Sequence, residues 1–104
     1  MRRVEQMAEE FGQYNFNFIH YVIKKAEITD NTLIIVGANK FTIGKLVFEE
    51  LEEGFEIDER MIGGKVFGIK SKPIDNGFTV FRIVIDDAQI TQTDIVAKNM
   101  VFKV

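Results

Sequence analysis

Ile19 to Thr29 reads IHYVIKKAEIT, and Phe81 to Thr91 reads FRIVIDDAQIT. Superposed, the two stretches share Val22 with Val84, Ile23 with Ile85, Ala26 with Ala88, Ile28 with Ile90 and Thr29 with Thr91, while the basic pair Lys24-Lys25 falls on the acidic pair Asp86-Asp87. The later copy has a strand pattern of its own. Phe81, Ile83 and Ile85 alternate onto one face, and Phe78, Val80 and Val84 share the other with Arg82. A strand apolar on both sides is normally central and covered twice. The earlier copy is ambiguous by itself. Val4, Met7, Phe11, Tyr14, Phe18, Tyr21 and Lys25 recur at the spacing of one long helix, yet Gly12, Asn15 and Asn17 weaken that helix and the residues from Phe16 onward are β-branched and aromatic. Its echo decides for a strand over Ile19 to Ile28, leaving a helix over about Arg3 to Gln13.

Both copies run into polar turns and a further apolar run. Thr29-Asp30-Asn31 precedes Thr32 to Val36, and Thr91 to Asp94 precedes Ile95 to Ala97, so each copy opens a β-hairpin; Asp and Asn side chains bond nearby backbone and tolerate unusual dihedrals. Pro73-Ile74-Asp75-Asn76-Gly77 signals another hairpin, between Lys65 to Lys70 and Phe78 to Ile85. Phe41 to Gly54 reads as a helix, because Ile43, Leu46, Val47 and Leu51 have helical spacing, Glu is a strong helix former and Gly54 suits a C-terminal stop. Gly44 and four glutamates near its C-terminal end weigh against it. The expected fold is α+β: a single antiparallel curved sheet of about five strands, with an N-terminal helix and a second helix after the first hairpin.

A chain of 104 residues, 46% hydrophobic and without cysteine, reads as one domain whose core forms without disulfides, and it has no thiolate for metal or nucleophilic chemistry. The N-terminal residues lack the apolar run of a signal peptide, and no stretch approaches the roughly 18 apolar residues of a membrane span, so a cytoplasmic protein is expected. A net charge of −3 disfavours general binding to polyanions. The dense acidic block Glu49, Glu50, Glu52, Glu53 reads as a solvated face.

Catalytic constellations are hard to assemble. His20 is the single histidine and Ser71 the single serine, so a relay or a zinc site of several His or Cys has no members; His20 is expected to pack beside Phe18 and Val22. Asp86, Asp87 and Asp94 match no calcium-loop spacing, and Gly63-Gly64-Lys65 lacks the phosphate-loop pattern and reads as a bend before a strand. No catalytic, cofactor or metal residue is assigned.

The run RMIGGKVFGIKSKPIDNGFTVFRIVIDD, from Arg60 to Asp87, resembles the strand pair of OB-fold nucleic-acid modules in its glycines, polar hairpin and I-x-I-D ending. That resemblance implies phosphate contacts from Lys65, Lys70, Lys72 and Arg82, and base stacking on Phe67 and Phe78 or Phe81. A different reading takes the ten phenylalanines as the lining of an apolar-ligand or lipid pocket. The favoured one is a non-enzymatic module acting through protein contacts, a homodimer by expectation, with Lys24 and Lys25 meeting Asp86 and Asp87 either within one sheet or across the dimer.

Overall fold

Seven strands follow in chain order: β1 Gly12–Gln13, β2 Val22–Thr29, β3 Thr32–Ala38, β4 Ile43–Leu51, β5 Lys65–Pro73, β6 Thr79–Asp86 and β7 Gln92–Lys103. They belong to a computed structural model that describes residues 12–13 and 18–104. In β3 the alternation is regular: Leu33, Ile35 and Gly37 are buried, and the residues between them are half-buried. Such period-two burial needs a partner strand on each edge and a core on one face. Both are present. The six long strands are antiparallel in the order β5-β2-β3-β4-β7-β6, and β6 pairs back onto β5, so the sheet closes into a barrel.

Closure depends on a short seam between β2 and β5. Val22 and Lys65 are the paired residues there. Around them the N–H of His20 donates to the carbonyl of Val66 at 2.7 Å, Val66 to Tyr21 at 2.9 Å, Ile23 to Gly64 at 2.8 Å and Gly63 to Ile23 at 2.8 Å. Further along the same edge of β5, Gly12 and Gln13 pair with Ser71 and Lys70. Closure at this seam shortens the open edges that a flat sheet would leave, although β2 meets β5 only near its start.

Inward side chains from every long strand fill the barrel, among them Ile23, Leu33, Ile35, Leu46, Phe48, Val66, Ile83 and Ile95, each fully buried. Phe18 plugs the end near the start of β2. Its ring stacks on Tyr21 with centroids 4.9 Å apart and meets Phe102 edge-on at 5.9 Å. Gly37 is required beneath that plug, since a β-carbon there would sit 2.6 Å from the Phe18 ring. On the crossing from β4 to β5, Phe55, Ile57 and Met61 pack against the core.

The α+β expectation is overturned. Among the described residues the helical turns are two short 3-10 turns, Glu59–Met61 and Asp75–Gly77, and the sheet has six long strands rather than about five. The stretch expected as a second helix, Phe41 to Gly54, is mostly β4. Gly44, Leu46 and Phe48 face the core while Lys45 is exposed and Glu49 half-exposed, and Val47 is covered on the other face, so strand pairing outweighs the helical spacing of Ile43, Leu46, Val47 and Leu51. Gly44 is what the strand needs, because a β-carbon there would press on Phe102 and Tyr21. Most of the expected N-terminal helix lies outside the described residues; its last two residues, Gly12 and Gln13, form β1.

The hairpin signals agree with the structure. Asp30 and Asn31 turn β2 into β3 with φ of 50° and 61°, and Asn76 and Gly77 turn β5 toward β6 with φ of 63° and 80°. The turn expected at Thr91 to Asp94 falls earlier, at residues 87–91, with Asp87 at φ 61°.

Candidate functional site

The two similar segments become β2 and β6, with β5 between them. Lys24-Lys25 and Asp86-Asp87 therefore do not pair within the chain. They flank one corner instead. Gly63 and Gly64 are hydrogen-bonded to Ile23 on one side, and on the other Gly64 lies so close to Ile85 and Ala88 that a β-carbon would collide with both. All four charged side chains are exposed, and so are Lys65 in the row between them and Ile62 at the corner. Lys24 sits where the β2 register shifts, and Phe67 where the β5 register shifts, which throws Phe67 outward to 62% exposure.

Two open depressions border this corner. One, of about 400 Å³, is lined by His20, Val22, Lys24, Ala38, Asn39 and Lys40; the other, of about 260 Å³, by Phe67, Val84, Ile85, Asp86 and Thr91. The first is basic, the second carries one acid. No protein-family model, curated protein or solved structure matches this chain. What the corner can do is read from its own chemistry: exposed Ile62 with Lys24-Lys25 on one flank, Asp86-Asp87 on the other and Lys65 between them opposite Asp86, with exposed Phe67 further along β5.

His20 departs from the packed position expected of it. It is exposed, in a turn with φ of 76°, while its neighbours Phe18 and Tyr21 take the buried places. No carboxylate lines its depression. Among the described residues, no three His, Asp or Glu side chains come together as a metal site.

The residues that the OB-fold resemblance singled out lie on the β5-β6 wall in mixed company. Arg82 is held by Asp94 through paired bonds of 2.8 and 2.9 Å, and that contact raises the guanidinium pKa above its ordinary value. Phe78 is half-buried with the Lys98 ammonium 5.2 Å from its ring centre. Lys65, Phe67 and Lys70 are exposed and Lys72 half-buried. The barrel itself has six strands, against five in an OB-fold. Of the phenylalanines proposed to line a ligand pocket, Phe18, Phe48 and Phe81 are spent filling the core.

Sequence reasoning missed two exposed apolar side chains, Phe41 at 90% and Ile43 at 60%. The signal was Asn39, a turn residue, hidden by reading Phe41 to Gly54 as a helix. No described helix is long and apolar enough to cross a membrane.

Proposed function

We propose that this chain is a non-enzymatic binding module that acts through protein contacts, and that its partner is a second copy of itself. The observation that carries this reading is the corner at Ile62: Lys24-Lys25 and Asp86-Asp87 stand exposed on its two sides. A two-fold axis through such a corner brings the basic flank of one copy onto the acidic flank of the other, twice, which is the self-complementarity an isologous dimer requires. Ile62 and Phe67, 39% and 62% exposed, add apolar surface on this side of the barrel. The outward face of β6 adds half-buried Val80 and Val84, apolar surface that a second copy would cover.

Light scattering across a concentration series tests this. The wild-type chain should pass from monomer to dimer as concentration rises. A Lys24→Asp, Lys25→Asp variant should remain monomeric, as should Asp86→Lys, Asp87→Asn, where asparagine suits the positive φ of residue 87. Mixing the two variants should restore dimers. A wild-type chain that stays monomeric throughout, or variants that dimerise as it does, would sink the proposal.

A further inference from the structure

The β3-β4 hairpin carries a different chemistry from the corner at Ile62, although its Asn39 and Lys40 share one depression with Lys24 of the basic flank. Asn39 builds its tip: the side-chain oxygen accepts the N–H of Phe41 at 2.8 Å and of Thr42 at 2.9 Å, and the Asn39 N–H donates to the Thr42 carbonyl at 3.0 Å. With its polar backbone groups satisfied inside the turn, the tip holds Phe41 away from the barrel rather than folding it back. Ile43 follows two residues later, also exposed.

Charge is sorted along the same strands. Residues 32–48 and 95–104 contain Lys40, Lys45, Lys98 and Lys103 and not one Asp or Glu. Lys45 and Lys103 are cross-strand partners, both exposed, so two cations stand side by side behind the tip. At the far end of β4, Glu49 and Glu50 begin the acidic block, roughly 15 Å away at the rise of a strand. Lys98 belongs to that far end, 4.0 Å from Glu50.

We propose that this hairpin is a docking tip for an anionic lipid surface: Phe41 and Ile43 enter the boundary between headgroups and acyl chains, Lys40, Lys45 and Lys103 meet the lipid phosphates, and the acidic end faces water. At this tip two observations select a lipid surface over single-stranded nucleic acid. The apolar pair is one aromatic and one aliphatic residue, where single-stranded nucleic acid calls for successive stacking faces. The cations are all lysine, the common companion of apolar residues at interfaces, whereas arginine is favoured for bidentate nucleic-acid contacts. A chain of net charge −3 is repelled by an anionic surface in most orientations, so the sorted charge also selects the one that presents the tip.

The chain has no tryptophan, so Phe41→Trp provides a sole reporter at the tip. Its emission should move to the blue with phosphatidylcholine vesicles containing phosphatidylserine, remain in place with phosphatidylcholine alone, and return as salt is added. In flotation with the phosphatidylserine vesicles, Lys40→Gln, Lys45→Gln should lower the affinity of the otherwise wild-type chain about 25-fold, at about fivefold per lysine near an anionic surface. Ile43→Asn should weaken flotation as well. Light scattering on these variants should show the same monomer–dimer behaviour as the parent, which separates the tip from the self-association corner, and circular dichroism should show the parent's fold. No shift with phosphatidylserine vesicles at low salt, an equal shift on phosphatidylcholine alone, or displacement from vesicles by single-stranded oligonucleotide would each overturn the proposal, the last in favour of nucleic acid.

Discussion

At the residue scale, Gly64 shows how much of this molecule depends on a missing side chain. It sits where the closing seam crosses the end of β6, and a β-carbon there would collide with Ile85 and approach that of Ala88 to 2.8 Å. Gly64→Ala should therefore cost about 1 to 3 kcal/mol through overpacking, read by urea denaturation. Gly54→Ala is the control: no atom lies within 4 Å, and its cost, about 1 kcal/mol, comes from φ of 85° alone. A smaller loss at Gly64 than at Gly54 would show that the seam is looser than described. A second residue-scale expectation concerns Asp58. Side-chain bonds from Arg60, then the Arg60 backbone N–H, hold the Asp58 carboxyl below the ordinary 3.8. A lowered folded-state pKa adds stability above the unfolded value and loses it as pH falls through the folded one, so the effect belongs to the acid range below about 4. Arg60→Gln should move the Asp58 titration, followed by NMR, back toward 3.8. An unmoved midpoint would remove the ion pair from the account.

At the element scale, the barrel is unevenly joined. β3 pairs with β2 and β4 along its whole length, whereas β2 meets β5 through Val22, Lys65 and a few backbone bonds on either side. Local openings begin where paired backbone is least continuous. Hydrogen exchange should accordingly release the amides of His20, Ile23 and Val66 before those of Ile35 and Leu46. The reverse order would place the weak point elsewhere. The legibility of the elements follows the same division between local and distant causes. The turns at Asp30-Asn31 and Asn76-Gly77 were readable because positive φ is a demand on the turn residue itself. β4 was misread because Ile43, Leu46, Val47 and Leu51 have helical spacing, Val47 breaks a strand's alternation, and the glutamates around Leu51 favour helix.

At the scale of the whole molecule, one core links every long strand, and removing its largest members should unfold all of it together. Phe48 is fully buried and meets the Phe81 ring at 5.5 Å between centroids, joining β4 to β6 across the interior. Phe48→Ala should cost about 3 to 5 kcal/mol in a single cooperative transition seen alike by circular dichroism and aromatic absorbance. Two separate transitions would mean that the halves of the barrel fold independently. Closure also joins segments far apart in sequence, so refolding should take roughly milliseconds to seconds, as in other all-β domains. Assembly belongs to this scale as well, since the opposed charges flanking Ile62 predict a dimer that weakens as salt screens them.

His20 was expected to pack beside Phe18 and Val22, yet it is Ile23 and Ile85, matched in the two similar segments, that are buried, with Val22 and Val84 half-buried. Only the common phase of these two strands was therefore determined by sequence alone. So were the β2-β3 and β5-β6 hairpins. Period-two alternation and turn chemistry act over a few residues and need no knowledge of the rest of the chain. The tertiary structure alone decided that Phe41 to Gly54 would supply a strand, because Gly44 gains its meaning from Phe102 and Tyr21, one of them 58 positions further along the chain. It also decided that β5 would separate the two segments, that Phe18 rather than His20 would plug the barrel, and that Phe41 would be left outside. Each of these depends on which distant surfaces meet when the sheet closes, and no local pattern carries that information.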